Sequence, residues 1–447
     1  NSAYSEPVWW GMAPPYALKS MVGWGHAPPN TLYSNTLKRL TGLVNGTESM
    51  MRYTMDMHLL NFPKNIDTEK FLTKYWQKKP LLFRQALPDF KCHIEADELA
   101  GMACEDEIES RLVMEKHGAT PWEARYGPFD ETLFAELPES HWTLLVQDVD
   151  KYIPEVAELL DYFRFIPDWR LDDIMISYAV DQGSVGPHTD DYDVFLLQAK
   201  GSRRWKIHTQ PVDDNDYIPG LDLRILPHFE TEQEWLLEEG DMLYLPPNVA
   251  HWGIAEGEAI TCSVGFRAPT WQDIASAWFE SWIEQQLPKQ RYRDPALKPQ
   301  IAPAEIKPAA LDGFKAKLQN CLDRLDQDER WFGRLVTETK PHLQVIPVEQ
   351  PLAEQTFLNR FREEAVIHRN SHSRMAFSRY EKDGLDTLYI NGHSYTLPSS
   401  SGEFLPVITH YRELHFGYLQ EWLEQPEYLN LLCRLYNEGH FLFSDEV

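Results

Sequence analysis

Over residues 1–56 apolar and polar positions follow no sustained period, and Trp9, Trp10 and Trp24 lie among Pro, Gly and Asn. That stretch is read as a non-native or poorly ordered extension. From Met57 the pattern becomes regular. Asp67 is placed to cap a short helix carrying Phe71, Leu72, Tyr75 and Trp76, which Lys79-Pro80 ends. Leu81-Leu82-Phe83 predicts a strand, Glu95–Met102 a helix and Trp142–Val149 a strand. Tyr152–Phe165 follows at helical spacing. Residues 174–267 differ in kind. Short β-rich runs recur at Ile174–Val180, Asp193–Gln198, Arg203–Ile207, Asp241–Leu245 and Ile260–Phe266, with Gly and Pro between them. Such runs with turn signals predict a β-sandwich or barrel.

After Pro269 the period turns helical. Trp271–Gln286 places Ile274, Ala277, Trp278, Trp282 and Ile283 on one face. A Pro-rich connector spans Pro295–Ala309, and Leu311–Val336 is a second helical region with Phe314, Leu318, Leu322, Leu325 and Trp331. These apolar faces need a partner, either within the chain or across a homodimer interface. From about residue 346 the text runs helix (Leu352–Arg362), hairpin (Thr387–Leu397 around Asn391-Gly392), helix (Gly417–Tyr436) and closing strand (Phe441-Leu442-Phe443), an order similar to a winged helix. The expected division is an extension at 1–56, a β-rich domain at 57–269, a helical region at 270–345 and a last domain at 346–447, α+β overall.

Composition narrows the partners. Charged residues make up 25% and apolar ones 43% of 447 residues, ordinary for a globular protein. The five Cys are scattered, which suits a reducing cytoplasm and argues against a zinc module. No apolar run reaches the roughly 20 residues needed to span a bilayer. A formal charge of -27 disfavours direct contact with nucleic acid and favours a basic polypeptide partner.

Chemistry enters at Gly186-Pro187-His188-Thr189-Asp190. On an extended segment His188 and Asp190 point to the same side. His251, after the rigid Pro246-Pro247 turn, is placed to add a third corner. Two His and one carboxylate on one face suit Fe(II) that must also take a substrate and O2. Arg203 and Trp205 share a strand face, and an inward Arg in a small barrel needs an anion. A dicarboxylate co-substrate whose other end chelates the iron would supply one. Ser177 and Ser263 are strand hydroxyls placed to assist it, or ordinary strand packing.

Gly186-Pro187-His188-x-Asp190, Gly201-Ser202-Arg203-x-Trp205, Gly240-Asp241-x-Leu243-Tyr244-Leu245-Pro246-Pro247, distal His251 and Ser263–Pro269 together resemble the cupin-type JmjC 2-oxoglutarate oxygenases, nearest the bacterial ribosomal oxygenase branch. The resemblance runs from about Met57 to the C-terminus. It implies a double-stranded β-helix (jelly-roll) catalytic domain, then a helical dimerisation region and a winged helix. It also implies an Fe(II)-, 2-oxoglutarate- and O2-dependent enzyme that hydroxylates an arginine of the basic large-subunit ribosomal protein L-sixteen. By the same resemblance His188, Asp190 and His251 bind iron, Arg203 holds the distal carboxylate of 2-oxoglutarate, and Ser177 and Ser263 help. Asp181, on the approach to the metal motif, and Tyr192 are the expected contacts of a substrate guanidinium, against turn chemistry and barrel packing. The rival readings are a histidine hydroxylase or N-methyl demethylase of the same type, and a cupin ribosome-assembly module without turnover.

Overall fold

A computed structural model describes residues 60–446 apart from 89, 117–121, 213–216, 222, 287–298, 300, 303, 323–329 and 381–383. The extension at 1–56, much of the Pro-rich connector and Leu325 lie outside the described residues. The first part of the chain builds one antiparallel sheet from β1 (Leu81–Phe83), β2 (Ser110–Glu115), β3 (Trp122–Tyr126), β4 (Trp142–Val146), β5 (Leu171–Ala179), β6 (Val194–His208), β7 (Gln233–Leu237), β8 (Met242–Leu245) and β9 (Ala250–Phe266). The strand order is β1-β8-β6-β9-β5-β4-β2-β3, with β7 also on β6. Short helices α1 (Thr68–Lys74), α2 (Ala96–Met102), α3 (Glu131–Ala135) and α4 (Pro154–Ala157) flank it. Asp67 caps α1 as expected, its side chain accepting the Lys70 N–H at 2.8 Å.

Strand parity divides the core. Ile174 and Ile176 of β5, Phe195 and Leu197 of β6, and Cys262, Val264 and Phe266 of β9 join one large cluster with Phe71 of α1. The alternate residues face the other way, toward the barrel interior. There Val194, Leu196, Trp205, Ile207 and Leu243 form a second cluster, and Val113, Leu145 and Ile225 a third. β6 changes parity along its length. Register shifts against β9 at Gln198/Lys200 and Lys200/Ser202 mark bulges beside Gly201, which takes φ +67°. Before them even residues face inward, and after them odd ones do, so the bulges aim Arg203 into the barrel.

The sheet is longer and less interrupted than the sequence pattern predicts. Asp193–Gln198 and Arg203–Ile207 belong to one strand because the bulges carry it through Gly201-Ser202. β9 begins at Ala250, well before Ile260, and passes through the polar run Glu256-Gly257-Glu258. Tyr152–Phe165 is not one helix. It is a single turn of α-helix followed by a 3-10 segment over Glu158–Phe163.

Beyond the sheet come α5 (Trp271–Gln286), α6 (Pro308–Leu322) and α7 (Arg330–Thr337). Phe279 and Ile283 of α5 and Leu311, Phe314 and Leu318 of α6 are exposed, while Trp278 is partly buried. The side chains of Trp282 and Leu322 lie outside those described. The last unit has its own core, containing Phe357, Phe361, Leu388, Leu432 and Phe441. It is built from α8 (Glu354–Glu364), β10 (Val366–Arg369), β11 (Met375–Tyr380), β12 (Leu385–Ile390), β13 (His393–Pro398), α9 (Phe404–His410), β14 (Glu413–His415), α10 (Phe416–Leu423), α11 (Pro426–Asn437) and β15 (Phe441–Leu442). Asn391 and Gly392, both at positive φ, turn the β12–β13 hairpin as expected. Pro426 begins α11 and divides the Gly417–Tyr436 helix in two. The segment between α7 and α8 is pinned to the sheet by charge. Lys340 donates to both oxygens of buried Asp148, at 2.8 and 2.9 Å, and to Asp173 at 3.2 Å.

Candidate active site

His188 and His251 face each other across a two-residue β-bridge. The His188 N–H donates to the His251 carbonyl at 3.0 Å and the reverse bond is 2.9 Å. Pro187 leads into His188, and Pro246-Pro247 precede His251, so both approaches are stiff. The ring centroids lie 4.2 Å apart. Asp190 turns its carboxylate to both rings, with Oδ1 3.9 Å from His188 Nε2 and Oδ2 3.6 Å from His251 Nε2. One donor atom from each of the three residues falls within 4.8 Å of the others.

The back of each imidazole settles its tautomer. His188 Nδ1 lies 2.9 Å from the Gly186 carbonyl, and His251 Nδ1 lies 2.9 Å from the Val249 carbonyl. A carbonyl only accepts, so each Nδ1 carries the proton and each Nε2 presents a lone pair to the shared space. Two neutral imidazoles and one carboxylate on one side, with the rest open, fit a divalent metal such as Fe(II) that must also accept other ligands.

Burial above all holds the His251 imidazole down to about 4 against an ordinary 6.5. The unfolded chain therefore takes up a proton near 6.5 that the folded chain refuses until about 4. That contribution to stability is fully present above 6.5 and is lost as pH falls through the window from 6.5 to 4. The denaturant midpoint of the metal-free protein is expected to drop across this window, and to drop less for His251→Gln. Equal slopes for the two proteins would contradict it.

Arg203 lies on the same interior face. Register pairs it with Ala255, Trp205 with Gly253 and Ile207 with His251, so Arg203, Trp205 and His251 share one side of the β6–β9 ladder. Arg203 is only 3% exposed, and its Nε and Nη2 have no hydrogen-bond partner. Burial lowers its guanidinium to about 10, which leaves it charged at neutral pH. A charged, desolvated group without a counter-ion is costly, and an anion entering from the metal side would relieve that cost. A dicarboxylate fits, with one end at Arg203 and the other toward the three metal-ligand candidates.

Trp205 is an addition that the sequence pattern did not single out as a site residue. The Trp205 indole N–H and the Thr143 hydroxyl are both buried without partners. Trp205 sits 5.8 Å from the His251 ring and 5.9 Å from the Arg203 guanidinium carbon. A Cβ at Gly253 would lie 2.7 Å from two carbons of the Trp205 ring. Gly253→Ala is expected to cost about 1–3 kcal/mol through overpacking. An unchanged denaturant midpoint would show that the ring can move aside.

Ser177 and Ser263 are both buried. Ser177 pairs with Thr261 and Ser263 with Met175, which puts both hydroxyls on the interior parity. Tyr192 is exposed, and the Asp190 charge beside it raises its phenol above the ordinary range. Asp181 is not brought to the three ligands. Its Oδ1 accepts the Gly257 N–H at 2.8 Å, which holds its carboxyl below the ordinary range. Gly257 lies six residues along β9 from His251, roughly 20 Å at about 3.3 Å per residue. That bond closes a bend and occupies one oxygen of the exposed carboxylate.

Comparison with known proteins places this geometry. The JmjC domain family matches residues 158–274, and the ROXA-like winged helix matches residues 319–441. The chain is 32% identical over 385 residues to the ribosomal protein uL16 3-hydroxylase of Escherichia coli (strain K12), a match spanning 86% of this chain and 100% of that protein. It is 34% identical over 273 residues to a probable ribosomal oxygenase of Haemophilus influenzae, covering 60% of this chain and 66% of that one. The structure of the E. coli ribosomal oxygenase YcfD in complex with cobalt and 2-oxoglutarate superposes with a TM-score of 0.72 at 31% identity, over 86% of this chain and 99% of that one.

Proposed function

The chain belongs to the JmjC-domain ribosomal oxygenases, and from that premise we propose that it hydroxylates an arginine side chain of a large-subunit ribosomal protein, the counterpart of the uL16 protein named for its E. coli relative. It is a 2-oxoglutarate-dependent dioxygenase with an α+β fold, a cupin-type double-stranded β-helix followed by a winged helix. We place the catalytic domain at 57–269, a helical dimerisation region at 270–345 and the winged helix at 346–447.

The observation that carries this reading is one interior face bearing both the three donors of His188, Asp190 and His251 and the unpaired guanidinium of Arg203. His188, Asp190 and His251 would hold Fe(II), and Arg203 would receive the distal carboxylate of 2-oxoglutarate, with Ser177 and Ser263 as helpers. Trp205 adds an indole N–H between them. When bound, iron and 2-oxoglutarate supply the activation of O2 and the oxidising power, with 2-oxoglutarate leaving as succinate and CO2. The chain's own work is placement. The Nδ1–carbonyl bonds turn both Nε2 atoms to the shared space, and the bulges at Gly201 aim the anchor. Tyr192 stands exposed beside Asp190, an aromatic face for an incoming guanidinium.

The test offers matched peptides with Arg, Lys or His at the target position and reads a one-oxygen mass gain together with succinate release. The Arg peptide is expected to gain oxygen. Preference for the His peptide moves the enzyme to histidine, loss of methyl groups from a methylated peptide makes it a demethylase, and succinate release from none supports an assembly module.

The net charge of -27 supports a basic polypeptide as partner and no direct contact with nucleic acid. We place the protein in the cytoplasm with that substrate. Among the described residues no helix is long and apolar enough to cross a membrane. The exposed apolar side chains of α5 and α6, Phe279, Ile283, Phe314 and Leu318 among them, support a homodimer through the helical region. Light scattering at micromolar concentration is expected to give twice the chain mass. A monomer would leave those side chains to intramolecular packing.

A further inference from the structure

The connection between β6 and β7 returns over the back of the loop that carries His188 and Asp190. The Tyr217 hydroxyl lies 2.5 Å from Oγ1 of Thr189, the buried residue between the two candidate ligands. The Arg224 guanidinium stacks on the Tyr217 ring at 4.7 Å and donates to its hydroxyl at 3.3 Å. Another arm of Arg224 reaches Asp191 at 3.1 Å. The Leu226 N–H donates to the Pro187 carbonyl at 2.8 Å. Ile225 sits so close to Gly186 that a Cβ there would meet it at 2.9 Å, and Gly186 takes φ +80°. Residues 186, 187, 189 and 191 are thus all held from this side. His188 and Asp190 alternate with them and are left facing the metal side.

We propose that Tyr217 is a positioning residue for the metal-ligand loop. Its hydroxyl, braced by Arg224, holds Thr189 in place and keeps His188 and Asp190 at ligand spacing before the metal arrives. The inference rests on the reading of His188, Asp190 and His251 as metal ligands. A loop that must be ordered when metal binds subtracts that ordering from the affinity, and a loop already held does not. Tyr217→Phe removes one oxygen and keeps the ring under Arg224. Thr189→Val removes the other hydroxyl and keeps the β-branched shape.

The test measures Mn(II) binding to the purified chain by electron paramagnetic resonance, without turnover. Wild type, Tyr217→Phe, Thr189→Val and the double variant are compared, with circular dichroism as the check on folding. Each single variant is expected to bind Mn(II) about fivefold more weakly, the net worth of one neutral hydrogen bond. The double variant is expected to be no weaker than either single one, because both lose the same bond. Apparent Michaelis constants for 2-oxoglutarate, taken at saturating metal, are expected to stay at the wild-type value, which general damage to the barrel would not allow. Wild-type affinity in either folded single variant, or losses that add in the double, overturns the proposal while the metal assignment stands. Absence of Mn(II) binding in the wild type removes the metal assignment and this inference with it.

Discussion

Ala in place of His188, Asp190 or His251 is expected to reduce 2-oxoglutarate turnover by well over about a hundredfold, since even an outer-shell partner of a metal ligand is worth that much. The three residues contribute the only grouped donors of metal-ligating type among the described residues. His188 and Asp190 have partly exposed side chains, so their removal leaves little cavity. The β-bridge between residues 188 and 251 uses backbone atoms and survives all three substitutions. The fold is therefore expected to persist while turnover is lost. Succinate release measures the first and circular dichroism the second. A well-folded His188→Ala protein with full turnover would remove the metal assignment.

Arg203→Ala has the next largest expected effect, and its signature is selective. A charged contact to a buried partner is worth roughly 2–5 kcal/mol when one side is truncated, or from about thirtyfold to a few thousandfold in affinity. The apparent Michaelis constant for 2-oxoglutarate is expected to rise by that factor, and the constant for the peptide to stay near its wild-type value. In the protein without co-substrate the same change removes a desolvated charge whose Nε and Nη2 have no partner. Thermal stability of that form is accordingly expected to hold or rise, the reverse of an ordinary core truncation. An unchanged requirement for 2-oxoglutarate would move the anchor elsewhere.

The spacing of His188 and Asp190 was legible because an extended segment has a period of two, and Pro246-Pro247 announced a stiff approach to His251. Arg203 was legible from its motif, though not the reason it points inward. That depends on the register of β6 against β9, between residues some 60 positions apart. The first half of β9 was missed because Glu256-Gly257-Glu258 reads as a loop, yet β6 pairs with it throughout. β2 and β3 were missed altogether. The Gly257 N–H that donates to the Asp181 carboxylate lies 76 residues on, so that bond was not legible either. Tyr217 and Thr189 carry no local signal at all, since a hydroxyl pair across 28 residues exists only once the chain has folded. What the pattern does carry well is local, such as the Asp67 cap and the Asn391-Gly392 hairpin.

We propose that this chain adds one oxygen atom to a large-subunit ribosomal protein in a reaction that consumes 2-oxoglutarate. The most direct measurement is the intact mass of the large-subunit ribosomal proteins from cells with and without the gene, with fragmentation to locate any difference. A one-oxygen mass difference is expected on an arginine of the uL16 counterpart, present with the wild-type gene and absent with His251→Ala. Identical masses for every large-subunit protein in the two strains, with the enzyme expressed, would contradict it.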